Sequence, residues 1–277
     1  MVWIGRWRHR GDLFFCIAIV SDLYYYVGMK IRNSRKAILT QTQADILEEL
    51  TLRYGDIITF DQIVKAFGET YSRDYLKQVI SRLVKNGWLV RLRKGEYFVT
   101  DLSNLGRTSL SVYFLANYFV RDSFVSFAQA LQYHGMHDQL LSTVISLSLR
   151  QHPPIHLQGI TYRYVKTQPR YFYGFEDVRV DGRMVRIATA EKALIDMIQF
   201  HRTDGSVALV AEKLSNYQDE LDLNRLVAYL ARSNRITRKI FVNLLRQAGF
   251  EHESVQVQQM TGQKNPPLQY NLARMAA

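Results

Sequence analysis

From Leu39 the side chains follow the helical period. Leu39, Gln43, Ile46, Leu47, Leu50 and Tyr54 fall on one face, and Gly55 follows as a natural C-terminal stop. A second, short helix is predicted from Thr59, whose hydroxyl can cap while Gln62 reaches back and Ile58 packs on Ile63. Phe60, Ile63, Val64 and Phe67 line its inner side before Gly68. A third helix is bounded by Ser72 and Asn86-Gly87, with Leu76, Val79, Ile80 and Leu83 as its buried stripe. At 100° per residue, Asp74, Gln78, Ser81 and Lys85 occupy the opposite face, flanked by Lys77 and Arg82. Trp88 to Arg93 then alternates in part, and Lys94-Gly95-Glu96 turns the chain into Tyr97-Phe98-Val99, a β-hairpin with a basic tip.

Residues 100–108 are polar and contain Gly106, which reads as a linker. The run from Ser109 to Gly135 predicts two helical pieces broken near Arg121-Asp122. Ile155, Leu157, Ile160, Tyr162 and Tyr164 approach strand alternation with a break at Gly159. A hairpin is plain at Val178–Val180, Asp181-Gly182 and Arg183–Ile187. Thr189 caps a helix through Phe200 with Ala193, Leu194, Met197 and Ile198 inward, and 206–214, 223–230 and 237–248 continue as helices. The last 25 or so residues, with Asn265-Pro266-Pro267, read as a polar, loosely ordered tail. The fold class expected is α+β: an N-terminal winged helix-turn-helix, then a larger α+β domain with a small antiparallel sheet and a helical C-terminal half. The expected divisions are a 1–28 extension of doubtful function, a winged helix-turn-helix at 29–100, an α+β domain at 109–250 and a tail at 251–277.

Charge changes this picture. The 277 residues hold 36 Lys+Arg and 25 Asp+Glu, a formal net charge of +11. Residues 71–95 hold seven basic residues and one acidic, residues 1–36 hold seven and two, and the remainder cancels. In the first stretch Arg6, Arg8 and Arg10 precede an apolar run that resembles a secretory signal. Asp12 and Asp22 flank or interrupt it, it falls short of the ~20 residues of a membrane span, and Met29 offers a second start. The one cysteine, Cys16, excludes a disulfide scaffold and a Cys-based zinc cluster and fits a reducing, cytoplasmic compartment. The second stretch coincides with the third helix and hairpin. A helix fits the major groove of B-DNA, its N-terminal side chains reach base edges, and cations around it meet phosphates. Ser72, Arg73, Lys77, Gln78 and Ser81 are therefore expected to face the groove, and Arg82, Lys85, Arg91, Arg93 and Lys94 to contact phosphates. The alternative is a solvated basic face on a protein-interaction winged helix.

Other chemistry is thin. Nucleotide-binding glycine motifs and the H-E-x-x-H zinc signature are missing, so the chain is expected to use no cofactor or metal and to be no enzyme. His134 and His137 with Asp138 could suggest a metal site, but a helix end with one packed and one exposed histidine accounts for them as well. His201 and Asp204 lack a neighbouring nucleophile. Tyr162, Tyr164, Tyr171, Phe172, Tyr173 and Phe175 could stack RNA bases or fill a core.

Three stretches carry a specific resemblance: FVSFAQALQYHG (124–135), YFYGFEDVRV (171–180) and VRIATAEKALIDMI (185–198). They resemble signature stretches of the AbiEi family, antitoxins of type IV toxin–antitoxin and phage-abortive systems. The resemblance spans roughly residues 39–250 and is most specific at Glu191, Lys192 and Asp196; the 1–28 extension and the tail fall outside it. It implies a transcriptional repressor that binds inverted repeats of double-stranded DNA in the operator of its own operon. It further implies a second domain that counteracts a nucleotidyltransferase-like toxin without a stable complex. Membrane association is not implied. From the residues alone, Glu191 complements the dipole at a helix start, and a nucleic-acid-processing enzyme that docks substrate through the winged helix stays open.

Overall fold

The computed structural model describes residues 39–100 and 110–262. The 1–28 extension with Cys16, nearly all of the 100–108 linker and the tail beyond Gly262 lie outside the described residues. The elements are α1 (Gln41–Tyr54), β1 (Ile57–Thr59), α2 (Phe60–Phe67), α3 (Arg73–Lys85), β2 (Leu89–Arg93), β3 (Glu96–Val99), α4 (Val112–Phe119), β4 (Ser123–Val125), α5 (Phe127–Tyr133) and β5 (Thr143–Ser148). They continue with β6 (Ile155–Leu157), β7 (Ile160–Lys166), β8 (Phe175–Val180), β9 (Arg183–Ala188), α6 (Ala190–Phe200), α7 (Asp204–Asn216), α8 (Leu223–Arg232), α9 (Arg235–Gln247) and α10 (Glu251–Thr261). The class is α+β, as expected. Among the described residues no helix is long and apolar enough to cross a membrane.

The first three helices start where side chains satisfy their free N–H groups. Thr40 with Gln43 and Thr59 with Gln62 form reciprocal capping boxes, and the Ser72 hydroxyl accepts from the Tyr75 amide at 3.3 Å. Such caps are worth about 0.5–2 kcal/mol each. The inward faces meet in one core that includes Ile46, Leu50, Ile58, Ile63, Leu76, Ile80, Leu83 and Val99. A three-stranded antiparallel sheet, in the order β1-β3-β2, closes this winged unit. β1 is an addition to the sequence reading: Ile58 pairs with Tyr97 in the sheet and is fully buried, so the residue expected as a staple is also a strand residue.

The second sheet is larger than expected and mixed. Its six strands run β6-β7-β5-β4-β9-β8, with β5–β7 and β4–β9 parallel and the remaining pairs antiparallel. The hairpin read at 178–187 is present, and the break expected at Gly159 proves to be the turn of a second one, β6–β7. Gln158-Gly159 and Asp181-Gly182 both place two successive residues at positive φ, which suits the twist of flanking strands. The broken helical run from Ser109 to Gly135 is interrupted by β4. α4 lies against β4, β5 and β9, while α6 packs against α5, α7, α8 and α9 and is buried at every position from Ala190 to Ile198.

The polar tail reading needs correction. Residues 251–261 form α10, which packs on α8 and α9. Val257 is fully buried, and the Ser254 hydroxyl donates to the Val242 carbonyl at 2.9 Å, so small polar residues supply the inward face.

Candidate nucleic-acid interface

α3 divides into two faces. Leu76, Val79, Ile80 and Leu83 are buried, and Ser72, Arg73, Lys77, Gln78, Ser81, Arg82 and Lys85 are all exposed. Asp74 in the first turn and Arg82 and Lys85 in the last complement the helix dipole. The Arg73 guanidinium lies 5.5 Å from the Phe60 ring centre and 4.0 Å from Asp61. The Lys77 ammonium pairs with Asp74 at 2.9 Å and holds that carboxyl below its ordinary value. Gln78, Ser81, Arg82 and Lys85 make no side-chain bond among the described residues. Sequence reasoning passed over Tyr75. It stacks on Tyr71 with ring centres 5.1 Å apart, keeps 40% exposure and stands beside Arg73 in the first turn. Its signal was available: a large aromatic residue off the buried stripe.

The wing hairpin carries Arg91, Arg93 and Lys94, all exposed, around a turn where Gly95 takes φ +78°. The turn is tied to α2 by the Phe60 amide, which donates to the Gly95 carbonyl at 2.8 Å. Arg91 Nε donates to the Arg93 carbonyl at 3.3 Å. Arg93 behaves differently from its neighbours. Its guanidinium turns to the end of α4, donates to the Tyr118 carbonyl at 2.7 Å and to the Phe119 carbonyl, and lies 5.3 and 5.7 Å from the two ring centres.

The three signature stretches meet in the second domain, at a buried knot. Lys192 and Asp196, one turn apart on α6, form an ion pair in which both side chains have 0% exposure. Ser126, from the first stretch, donates to Asp196 at 2.7 Å. Tyr173, from the second, places its ring centre 4.5 Å from the Lys192 ammonium, and Phe124 lies at 6.0 Å. Phe124 in turn stacks on Phe175 at 4.7 Å. Gly174 takes φ +72°, and a Cβ there would lie 3.0 Å from Tyr229 and 3.1 Å from Lys192. Burial pulls the Lys192 ammonium down and the Asp196 carboxyl up; each is opposed by the charge of the other.

Glu191 is also buried, at 3% exposure. Its carboxylate accepts from the Asp222 amide at 3.0 Å, at the start of α8, and lies 3.7 Å from Arg225. The dipole role read from sequence is thus only part of its work, since it joins α6 to α8. Burial removes all three residues from direct contact with a macromolecular partner. Tyr162, Tyr164, Tyr171 and Tyr173 are buried as well, so the aromatic cluster packs rather than offering a stacking platform. His134 Nε2 donates to the Ala188 carbonyl at 2.8 Å while His137 is buried, matching the packed-and-exposed reading. The second domain, with 17 basic and 12 acidic residues over 109–250, is also polarised locally. Residues 223–250 hold six basic residues and no acidic one, and Arg235, Lys239 and Arg246 line an open groove between α9 and α10.

Residues 45–100 match the family model described as "Transcriptional regulator, AbiEi antitoxin", in agreement with the resemblance read from the sequence. The matched segment runs from α1 to the wing. No curated protein matches the chain. Among solved structures, the chain is similar to the RV2827C protein from Mycobacterium tuberculosis, with a TM-score of 0.58 at 15% identity. That likeness covers 84% of this chain and 85% of the other and shows a shared fold.

Proposed function

We propose that the protein is a DNA-binding repressor of its own operon and the antitoxin of a type IV toxin–antitoxin pair. The observation that carries the DNA half is the exposed face of α3, where seven polar or cationic side chains stand opposite a fully apolar one. It lies in the segment that matches a family of transcriptional regulators. In this reading residues 29–100 dock on double-stranded DNA. Ser72, Arg73, Lys77, Gln78 and Ser81 enter the major groove, and Arg82, Lys85, Arg91 and Lys94 meet phosphates. Inverted repeats would take two copies of the chain, one on each half-site.

Residues 109–250 carry the antitoxin half, counteracting a nucleotidyltransferase-like toxin through its effects rather than by a stable complex. Glu191, Lys192 and Asp196 serve that half by holding α6 in place, because their burial leaves no surface for a toxin. The same burial weighs against their use as the carboxylates and lysine of a nucleic-acid-processing site.

Titration of the full chain with a labelled duplex from its own upstream region tests the DNA half. Binding should be sequence-selective and fall steeply with salt; salt-insensitive or absent binding overturns it. Co-expression with a nucleotidyltransferase-like toxin tests the other half: rescue of growth without co-purification is expected.

A further inference from the structure

We propose that Arg93 is a positioning residue that clamps the wing to α4, leaving phosphate contact on the wing to Arg91 and Lys94. The last carbonyls of a helix lack intrahelical donors and sit at the negative end of its dipole, where an arginine fork is well matched. The final two residues of α4 are Tyr118 and Phe119, and Arg93 donates to both carbonyls while lying against both rings. Two further ties flank it. The Tyr118 hydroxyl, pushed up to about 12 chiefly by burial and next by its bond to Glu96, stays protonated and donates to that wing carboxylate at 2.8 Å. Arg183, at the start of β9, pairs with Asp56 beside β1 and stacks over Phe114 of α4 at 4.6 Å. Arg93 and Glu96 thus reach from the wing into α4, and Asp56 reaches β9. Arg91, two residues away on the same strand, makes no such contact among the described residues; its Nε donates to the hairpin's own backbone at Arg93.

A flexible wing must be ordered before its cations help hold DNA, and ordering costs affinity. Arg93 removes that cost by fixing the hairpin before DNA arrives. This part rests on the DNA-binding reading; the clamp itself does not.

The experiment compares the full-length protein with Arg93→Ala, Arg93→Lys, Tyr118→Phe and Arg91→Ala. Hydrogen exchange is read without DNA, and operator affinity is read across a salt series. With the clamp, Arg93→Ala and Arg93→Lys both speed exchange in the hairpin and the last turn of α4. Both weaken operator binding by roughly tenfold, as expected for re-imposed ordering. The salt slope in Arg93→Lys is unchanged, because lysine keeps the charge but loses the two-carbonyl fork. Tyr118→Phe speeds exchange to a smaller degree, whereas Arg91→Ala leaves exchange alone and lowers the slope by about 0.9.

Wild-type exchange in Arg93→Ala overturns the clamp whatever happens to DNA. Full restoration of binding by Arg93→Lys, with a slope lowered by about 0.9 in Arg93→Ala, makes Arg93 a phosphate contact and overturns the positioning role. If the wild type fails to bind DNA, the DNA reading falls and exchange alone decides the clamp.

Discussion

Replacing Lys192 by methionine keeps most of the unbranched side chain and removes its charge. Asp196 is then left fully buried, with the Ser126 hydroxyl at 2.7 Å as its remaining hydrogen-bond partner among the described residues. Breaking a buried pair from one side costs about 3–5 kcal/mol, because the surviving charge keeps its desolvation penalty and loses its counter-charge. For a chain of this size that corresponds to a fall in Tm of roughly 6 to 20 °C. Lone Asp196 also has its carboxyl raised by burial, so the loss should shrink as the pH falls from 7 toward 5 and the neutral acid forms. Removing both charges should recover most of the loss, since a buried pair and an apolar replacement are often equivalent. The Ser126 hydroxyl would then be orphaned at about 1–3 kcal/mol. The triple variant Lys192→Met, Asp196→Leu, Ser126→Ala is therefore expected near parental stability. Urea unfolding gives these values, and toxin rescue gives the functional consequence. If the pair is architectural, the triple variant protects against the toxin while Lys192→Met does not at growth temperature. A single variant that loses under about 1 kcal/mol, or a stable triple variant that fails to protect, refutes the reasoning.

Three further outcomes are expected. Gly174→Ala should destabilise by about 1–3 kcal/mol in thermal melts, because the new Cβ meets Tyr229 and Lys192 and the backbone there has positive φ. Tyr162→Phe should leave the unfolding midpoint unchanged or raise it: the ring is fully buried, and the hydroxyl makes no hydrogen bond among the described residues, so its removal relieves a desolvation cost. His137 is held below its ordinary 6.5, first by burial and then by the charge of Lys213, with Asp138 and Glu212 acting in the opposite sense. The unfolded chain then takes up the proton first, so this stabilisation is complete above about pH 6.5 and is lost as the pH falls toward the native value. His137→Gln should flatten the dependence of Tm on pH between 7 and 5.

What was legible in the sequence was local. Thr59 with Gln62, Ser72 and Thr189 announce helix starts within four residues, and the stripe Leu76, Val79, Ile80, Leu83 separates the two faces of α3 by period alone. What was hidden depends on partners distant in sequence. β4 is three residues long and becomes a strand by pairing with β5 and β9. β5 pairs in parallel with β7 across a connection that itself contains β6, so neighbours in the sheet are not neighbours in sequence. In α10 the inward positions include Ser254 and Thr261, and composition alone reads them as solvent-facing. Lys192 illustrates the limit best. A lysine in the first turn of a helix reads as a surface cation, and only α6's central position, enclosed by α5, α7, α8 and α9, puts it in the core. Arg93 was visible as a cation on a hairpin, but the carbonyls it serves come from a helix 25 residues further along.

Among the described residues the six-stranded sheet ends in β6 and β8, and an unpaired margin can template the addition of a strand from another chain. Each margin discourages this differently. β8 carries Glu176, Asp177 and Arg179 exposed along its six residues, so an incoming strand would have to strip water from charges of both signs. β6 is only three residues long and follows Pro153-Pro154, whose nitrogens have no hydrogen to offer a ladder. Charge on one side and brevity with proline on the other guard the chain against aggregation, and substitutions such as Glu176→Val or Pro154→Val would expose that hazard before they changed the fold.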